Sequence, residues 1–296
     1  MKVDNSFFKE EIRSDFLVSE KRKKIWYTEL QLLEKFDSVC KKYNLKYYAE
    51  FGTLLGAVRH GGFIPWDDDI DIIMFRDDYM KLQEIAADEF KEPYFFQNSY
   101  TDLVLWSISK LRDSRTTAIE FKDMDPEFNQ GIFIDIYPYD DVPDQKNFSE
   151  NILTVQREVW QTVVNAEKMK YYLSQGVSFH TDSDILYDLL SLPVRERFRQ
   201  FELLNASHYG TSKNVQFITH AICHGIAVRK REWFSETVYL PFEYLKIPAP
   251  AGYDQILTIQ YGDYHQYLMG GSAHEGIFFD PDQPYLYYME HPERLP

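Results

Sequence analysis

The chain is poor in the features that mark secreted, membrane-spanning and nucleic-acid-binding proteins. It has two cysteines in 296 residues, a number more typical of buried thiols in a reducing compartment than of a disulfide framework. No uncharged apolar run approaches the length of a membrane span. The formal net charge is −15, and no basic stretch is long enough to indicate a nucleic-acid surface.

The composition instead predicts a globular cytoplasmic protein. Hydrophobic residues make up 44% of the chain and aromatic residues 17%, which is enough for a large core. Residues 1–10 lack the apolar segment of a signal peptide, and an acidic surface disfavours adhesion to anionic lipid. We expect no nucleic-acid partner and at most peripheral membrane contact, at the inner face of the membrane.

The most informative segment is an acidic cluster that runs into an apolar stretch. Four aspartates occupy residues 67–71, and apolar side chains follow at 72–75. On a strand, Asp67, Asp69 and Asp71 would share one face, with neighbours roughly 6–7 Å apart. Carboxylates this close repel one another. Because hard oxygen ligands suit Mg²⁺ or Mn²⁺, the cluster predicts a divalent metal site.

A segment suited to phosphate binding precedes this cluster. Residues 47–51 have the pattern of a short buried strand, and Gly52 and Thr53 open a helical pattern over residues 54–59. Glycine lets a ligand approach the backbone, and free N–H groups at a helix start attract anions. Thr53 can cap the helix or contact a phosphate. This layout is typical of a site that handles a nucleotide through its phosphates and a metal.

A further acid, Asp135, interrupts the apolar run at residues 131–138. Burying it without a partner would be costly, and a metal already held by Asp69 and Asp71 would compensate it. The alternative is an acid on an edge strand that faces water.

Three cations are candidates to contact phosphate oxygens: Arg59, Lys110 and Arg112. Arginine suits a bidentate grip on phosphate. The alternatives stay open, because Lys110 and Arg112 could be surface charges on a strand and Arg59 could pair with a nearby aspartate.

The remaining pattern predicts an α+β protein with a mixed-sheet core and appended helices. Asp113 to Arg115 resembles a hairpin turn, Pro193 should break a helix, and the last 25 residues look irregular. Helices are expected at residues 19–44, 76–90, 145–175, 183–208 and 253–260, and strands at 94–97, 104–112, 116–120 and 132–136, with extended chain at 233–250.

The first motif resembles the signature of a known family. Gly52-Thr-Leu-Leu-Gly-Ala-Val-Arg-His-Gly-Gly-Phe-Ile-Pro-Trp-Asp-Asp-Asp-Ile-Asp71 is similar to that of the LicD family, which includes bacterial phosphocholine transferases and resembles the fukutin-type proteins of animals. The similarity continues at Phe133-Ile-Asp-Ile-Tyr-Pro138 and within residues 233–264. It covers most of residues 45–275.

The resemblance implies a nucleotidyltransferase-like mixed β-sheet core at residues 1–143. A helical and irregular extension at residues 144–296 would then contribute the acceptor site and its rim.

The resemblance also implies roles for individual residues. Asp69 and Asp71 would be the metal pair and Asp135 the third catalytic acid, whereas Gly52 and Thr53 match the phosphate-contacting turn.

Three further residues are candidates for the acceptor site or the rim of the active site. Asp263 lies in a late Tyr-Gly-Asp-Tyr motif, His274 follows it, and Asp67 belongs to the acidic cluster.

The implied activity is transfer of a phospho-substituent, such as phosphocholine or a phospho-polyol, from a CDP-activated donor to a hydroxyl of a glycan or teichoic-acid precursor. Mg²⁺ or Mn²⁺ would be the cofactor, and CMP would be released. Three alternatives remain: transfer of a nucleotide to a small molecule or protein, an inactive scaffold that binds glycan or nucleotide, and a sugar-nucleotide glycosyltransferase with an Asp-x-Asp site.

Overall fold

The structure, a computed structural model, describes residues 3–102, 105–121, 125–142, 152–179, 185–224, 227, 229–271, 274 and 276–296. Its helices are α1 Glu20–Tyr43, α2 Phe51–His60, α3 Arg76–Glu89, α4 Ile152–Ser174, α5 Ile185–Ser191, α6 Val194–Ser207, α7 Ile218–His224, α8 Tyr253–Tyr261 and α9 Tyr285–Glu290. Its strands are β1 Glu11–Arg13, β2 Phe16–Val18, β3 Tyr48–Ala49, β4 Asp71–Phe75, β5 Tyr94–Gln97, β6 Ser109–Asp113, β7 Thr117–Ile119, β8 Ile132–Val142, β9 Asn214–Phe217, β10 Arg229–Lys230, β11 Thr237–Phe242, β12 Leu245–Pro250 and β13 Phe278–Asp280. Helices and a mixed central sheet therefore share the described part of the chain, which confirms the predicted α+β class.

Helix α1 follows the local rules that predicted it. The Ser19 hydroxyl accepts a hydrogen bond from the Arg22 backbone at 3.2 Å and caps the first turn. Asn44 ends the helix in the left-handed region, at φ 54°. Trp26 and Leu30 lie on its inward face and are fully buried. This helix covers one face of the sheet and carries the side chains that anchor the acidic loop.

Strand β8 organises the central sheet. It pairs in parallel with β4 along one edge, so that Asp71 lies opposite Asp135. Along its other edge it pairs antiparallel first with β6 and then with β9, and Lys110 of β6 also lies opposite Asp135. Asp135 therefore occupies an internal strand between Asp71 and Lys110, and the edge-strand alternative is wrong.

The acidic segment does not form the strand that its alternation suggested. Strand β4 begins only at Asp71, and residues 67–70 form a loop. The backbone N–H of Asp67 closes a turn on the carbonyl of Ile64 at 2.9 Å, just after Pro65. The shared strand face predicted for the three aspartates is thus wrong, and loop packing brings their side chains together instead. Helix α2 also begins earlier than predicted, at Phe51.

Other corrections concern pairing over long sequence distances. The turn at Asp113–Arg115 does not join a hairpin, because β6 pairs with β5 and β8 whereas β7 pairs with β13. The last 25 residues contain β13 and α9, whose Tyr285 and Tyr288 pack on Ile119, so they are not irregular throughout. The strand expected at 104–112 begins at Ser109, and residue 104 lies outside the described residues.

Helices α4, α5 and α6 form the predicted helical region, and the break at Pro193 separates α5 from α6 as expected. Their side chains share a hydrophobic cluster with Val142 of β8 and with α7. The predicted boundary between residues 143 and 144 lies outside the described residues and stays a prediction. Cys40 is buried as expected, but Cys223 is exposed. Among the described helices, none combines the length and apolar character that a membrane span requires.

Candidate active site

The register of two parallel strands brings Asp71 and Asp135 side by side. Both are buried, with 7% and 4% of their surface exposed. The backbone N–H of Asp71 donates to the Thr53 hydroxyl at 2.8 Å, and that of Asp135 donates to the Ile70 carbonyl at 2.9 Å. Oδ1 of Asp71 is buried and has no hydrogen-bond partner. The backbone therefore holds this pair rigidly, while one carboxylate oxygen is left for a ligand.

Lys110 supplies the positive charge nearest to this pair. Its Nζ lies 3.0 Å from Oδ1 and 3.4 Å from Oδ2 of Asp135, and 3.6 Å from Glu120. The ammonium also lies 3.5 Å from the ring centroid of Phe133. Because Lys110 is only 4% exposed, it compensates the buried charge of Asp135 but leaves Asp71 without a cationic partner among the described residues.

The acidic loop is anchored from helix α1. Arg22 Nη1 and Trp26 Nε1 donate to the Asp67 carbonyl at 2.7 and 2.9 Å. The Asp67 carboxylate, in turn, lies so close to Gly52 that a Cβ there would collide with it. Asp67 also shares a hydrogen bond with Asp69. Only glycine at the start of α2 allows this approach, which brings the loop carboxylates next to the β4 acids.

His274 joins this loop from a distant part of the sequence. Its Nδ1 lies 3.3 Å from Oδ1 of Asp68 and 3.8 Å from Oδ2 of Asp69. One ligand atom from each of these three residues falls within a group spanning 4.8 Å. The structure therefore places His274 beside the acidic loop and adds Asp68 to the group, whereas the assignment of His274 to the acceptor site or rim stays a prediction.

Burial and mutual repulsion dominate the electrostatics of the cluster. Burial raises the pKa of Asp71 well above its usual range, and the neighbouring charges of Asp135 and Asp67 raise it further. Burial likewise raises the pKa of Asp69, with added contributions from Asp71 and Asp67. Such a set of carboxylates favours binding of a proton or a metal cation. Carboxylate oxygens, among them the unpartnered Asp71 oxygen, are ligands that Mg²⁺ and Mn²⁺ prefer, and the group around Asp68 and Asp69 adds one imidazole nitrogen from His274.

The start of helix α2 lies next to these acids. The Glu50 side chain makes no capping hydrogen bond; it is fully buried and pairs with Arg229 at 2.6 Å. Phe51 adopts a positive φ of 49° immediately before Gly52. Since the first N–H groups of a helix have no intrahelical acceptor, this end can receive an anion. Thr53 is buried and its hydroxyl holds the start of β4, so it positions Asp71.

Three predicted residues are not brought to the acids. Arg112 is fully buried and donates to Gln97, Gly131 and Glu120 within the protein. Arg59 lies about 10 Å along α2 from Gly52, with its guanidinium 4.1 Å from the Tyr267 ring centroid. Asp263 is exposed and accepts from Gln266 at 2.7 Å.

Besides Asp68, the sequence analysis did not identify two residues of the site, Tyr137 and Glu29. The Tyr137 hydroxyl hydrogen-bonds to Asp71, and burial followed by the charges of Asp71 and Asp135 raises the pKa of Tyr137. Glu29 of α1 is 1% exposed and has one unpartnered oxygen. Glu29 could have been identified from sequence, because it lies on the apolar stripe of α1, three residues after Trp26. The contact of Tyr137 could not, because it depends on the strand register.

This combination of a helix start, a mixed sheet and paired acids at the beginning of β4 is consistent with the nucleotidyltransferase-like core that the resemblance implies. A model of the LicD/FKTN/FKRP nucleotidyltransferase domain matches residues 44–172. The predicted resemblance is confirmed: this part of the chain is similar to the LicD/FKTN/FKRP family.

Curated relatives agree with the match. The lipopolysaccharide cholinephosphotransferase LicD of Haemophilus influenzae is 27% identical over 248 residues, which cover 79% of this chain and 88% of that relative. An uncharacterised protein of Rickettsia prowazekii is 46% identical over 71 residues, or 24% of each chain. The human ribitol 5-phosphate transferase FKRP is 40% identical over 45 residues, only 15% of this chain and 9% of the relative.

Proposed function

We propose that this chain transfers a phospho-alcohol, such as phosphocholine, from a CDP-activated donor to a hydroxyl of a cell-surface glycan and releases CMP. Similarity to the cholinephosphotransferase along most of both chains supports a phosphotransferase that acts on a glycan. The shorter similarity to a ribitol 5-phosphate transferase is consistent with a family that moves different phospho-alcohols.

One observation carries the proposal: buried acids on two adjacent strands meet beside the open start of α2. Asp71 and Asp135 are register partners, and Oδ1 of Asp71 has no partner. A fold has no structural need for carboxylates in this state, because an unpaired buried charge costs stability. A site that binds a divalent cation and a diphosphate uses this arrangement.

The side chains can be assigned roles in the reaction. Asp69, Asp71 and Asp135 would hold Mg²⁺ or Mn²⁺, and the bound ion would supply positive charge that offsets the charge of the diphosphate and of the departing CMP. Lys110 fixes the orientation of the Asp135 carboxylate, and Tyr137 does the same for Asp71.

The acceptor oxygen forms a bond to the distal phosphorus of the donor as the bond from that phosphorus to CMP breaks. The hydroxyl proton passes to a carboxylate, for which Asp67 and Asp135 are the candidates. Burial raises the pKa of Asp67, which makes it a better proton acceptor than an exposed aspartate.

The acceptor in this proposal is a precursor of lipopolysaccharide, teichoic acid or capsule, modified at the cytoplasmic face of the membrane. His274 and Asp68 lie where the acidic loop meets the late part of the chain, a position suited to the rim of an acceptor site.

The test incubates the full chain with Mg²⁺ and CDP-choline, CDP-ribitol or CDP-glycerol, and follows release of CMP. CTP and ATP are tested in parallel for release of pyrophosphate. The proposal expects CMP from at least one CDP-alcohol, no pyrophosphate, and loss of release in Asp71→Asn. Asp88→Asn, on the exposed side of α3, should keep full activity. Pyrophosphate release without CMP release would favour nucleotidyl transfer, and inactivity with every donor would favour a binding scaffold.

A further inference from the structure

A cavity of about 450 Å³ opens beside the catalytic acids. Two of its lining residues reach those acids directly, since Lys110 pairs with Asp135 and Tyr137 hydrogen-bonds to Asp71. Aliphatic and polar side chains line its other walls together with four aromatic side chains: Trp106, Phe121, Trp160 and Phe217. If the distal phosphorus of a donor lies at the acids, as the proposed function requires, the organic part bonded to that phosphate must lie within a few atoms of this opening.

The charges of the lining do not exclude a cation. Besides His220 and His224, the titratable lysine and glutamate of the described lining are Lys110 and Glu120, and Lys110 is already paired with both Glu120 and Asp135. The ammonium of Lys110 lies 3.5 Å from the Phe133 centroid and 5.0 Å from that of Trp106. Trp106 of the wall thus already lies within reach of one cation, through the attraction between positive charge and aromatic faces.

The polar groups of the same lining are largely engaged with the protein. The hydroxyls of Ser107 and Thr219 bond to each other at 2.7 Å, and a ring nitrogen of His220 faces the Gln216 amide at 3.2 Å. A polyol that entered this cavity would lose water and find few free partners, which costs affinity. A quaternary ammonium needs no hydrogen-bond partner and gains from aromatic faces.

We propose that this aromatic cavity binds the head group of the donor and selects a quaternary ammonium over a polyol. This assignment rests on the proposed function. It identifies Trp106 and Phe121 as specificity-determining residues, which sequence patterns alone did not mark.

The test measures binding of CDP-choline, CDP-ribitol and CDP to the full chain by calorimetry with Mg²⁺ present. Trp106→Leu and Phe121→Leu are the test variants, because both side chains are partly exposed and their loss should leave the fold intact. Tyr171→Leu is the matched control, since Tyr171 is 62% exposed on α4. Trp106→Leu should weaken the binding of CDP-choline about tenfold and should change the affinity for CDP by less than twofold.

The result expected for the unmodified chain is that CDP-choline binds more tightly than both CDP-ribitol and CDP. Equal weakening of CDP and CDP-choline by Trp106→Leu, or no weakening of either, would overturn the head-group assignment and leave the proposed function standing. Tighter binding of CDP-ribitol than of CDP-choline would also overturn the assignment. Failure of CDP and of every CDP-alcohol to bind would overturn the proposed function together with it.

Discussion

The two ends of the β4–β8 strand pair handle buried charge in opposite ways. Beyond the carboxyl end of β4, Arg76 binds Asp140 of β8 through two hydrogen bonds of 2.6 and 2.7 Å. Glu202 of α6 accepts from Arg76 at 3.3 Å and from Tyr100 at 2.5 Å. At the amino end of β4, Lys110 pairs with Asp135, whereas Asp71 has no cationic partner among the described residues and retains an unpartnered oxygen.

The difference separates a structural ion cluster from a binding site. The Arg76 cluster is closed, since its donors and acceptors satisfy one another, and it fastens α6 to the sheet. The acidic cluster is open, and we expect its repulsion to lower the stability of the fold when no cation is bound. The proposed function thus assigns rigidity to one end of the strand pair and ligand binding to the other.

The largest effect should come from neutralising the open end. Asp71→Asn is expected to lower turnover roughly a thousandfold or more. Without divalent ions its melting temperature should equal or exceed that of the unmodified chain, because repulsion with Asp135 and Asp67 is relieved. CMP release and thermal unfolding in EDTA measure the two quantities, with Asp88→Asn as the control. Full turnover in Asp71→Asn would show that Asp71 is not part of the active site.

Removing the cation of the closed Arg76 cluster should instead lower the stability of the fold. Arg76→Met leaves Asp140 and Glu202 buried without their cation and should lower the free energy of unfolding by about 3–5 kcal/mol. Denaturant titration measures this loss. Lys91→Met breaks an exposed pair with Asp88 and should cost less than about 1 kcal/mol. Equal effects of the two variants would contradict the distinction between a buried cluster and a surface pair.

Lys110→Met tests whether a metal can replace the cation of the open end. Loss of the ammonium leaves Asp135 without its partner and should lower the free energy of unfolding by about 2–3 kcal/mol in EDTA. Added Mg²⁺ should raise the melting temperature more in this variant than in the unmodified chain, because the metal takes over the compensation. A smaller rise in the variant would mean that Asp135 does not take part in metal binding.

The sequence predicted the helix ends and apolar faces that depend only on neighbouring residues. The cap at Ser19, the apolar stripe of α1, the glycine start of α2 and the helix break at Pro193 all follow from neighbouring residues. The metal-ligand candidates Asp71 and Asp135 were recognisable because acids inside apolar runs need a partner. Their function as ligands stays a prediction.

Long-range pairing could not be predicted in this way. Strand alternation suggested a common face for Asp67 and Asp69, but the anchors that hold that loop, Arg22 and Trp26, lie more than forty residues earlier. The pairing of β7 with β13 joins residues about 160 positions apart. The engagement of Arg112 inside the protein likewise depends on partners that only the folded chain brings near.

A smaller effect is expected at Glu29, behind the acidic loop. Burial, followed by the charges of Asp68, Asp67 and Asp71, raises its pKa well above the usual value. The folded state therefore binds the Glu29 proton more tightly than the unfolded chain does, where a glutamate has a pKa of about 4.3. The contribution of Glu29 to the free energy of unfolding is therefore most favourable at low pH, and it is lost as the pH rises through the pKa of Glu29 in the folded state.

Glu29→Gln should remove the loss of stability that ionisation of Glu29 causes at high pH. The variant should be more stable than the unmodified chain by about 1–2 kcal/mol at pH 8, with the difference vanishing near pH 4. Denaturant titrations across this range measure it. A variant that is less stable at pH 8 would show that the glutamate is ionised and well paired in the fold.

Binding of Mn²⁺, followed by electron paramagnetic resonance, tests the central claim most directly, since it needs neither donor nor acceptor. The unmodified chain and Asp88→Asn should bind the ion with equal affinity, whereas Asp71→Asn and Asp135→Asn should bind at least tenfold more weakly. Undiminished binding in both site variants, or no binding by the unmodified chain, would contradict the claim that the open end of the β4–β8 pair holds a divalent cation.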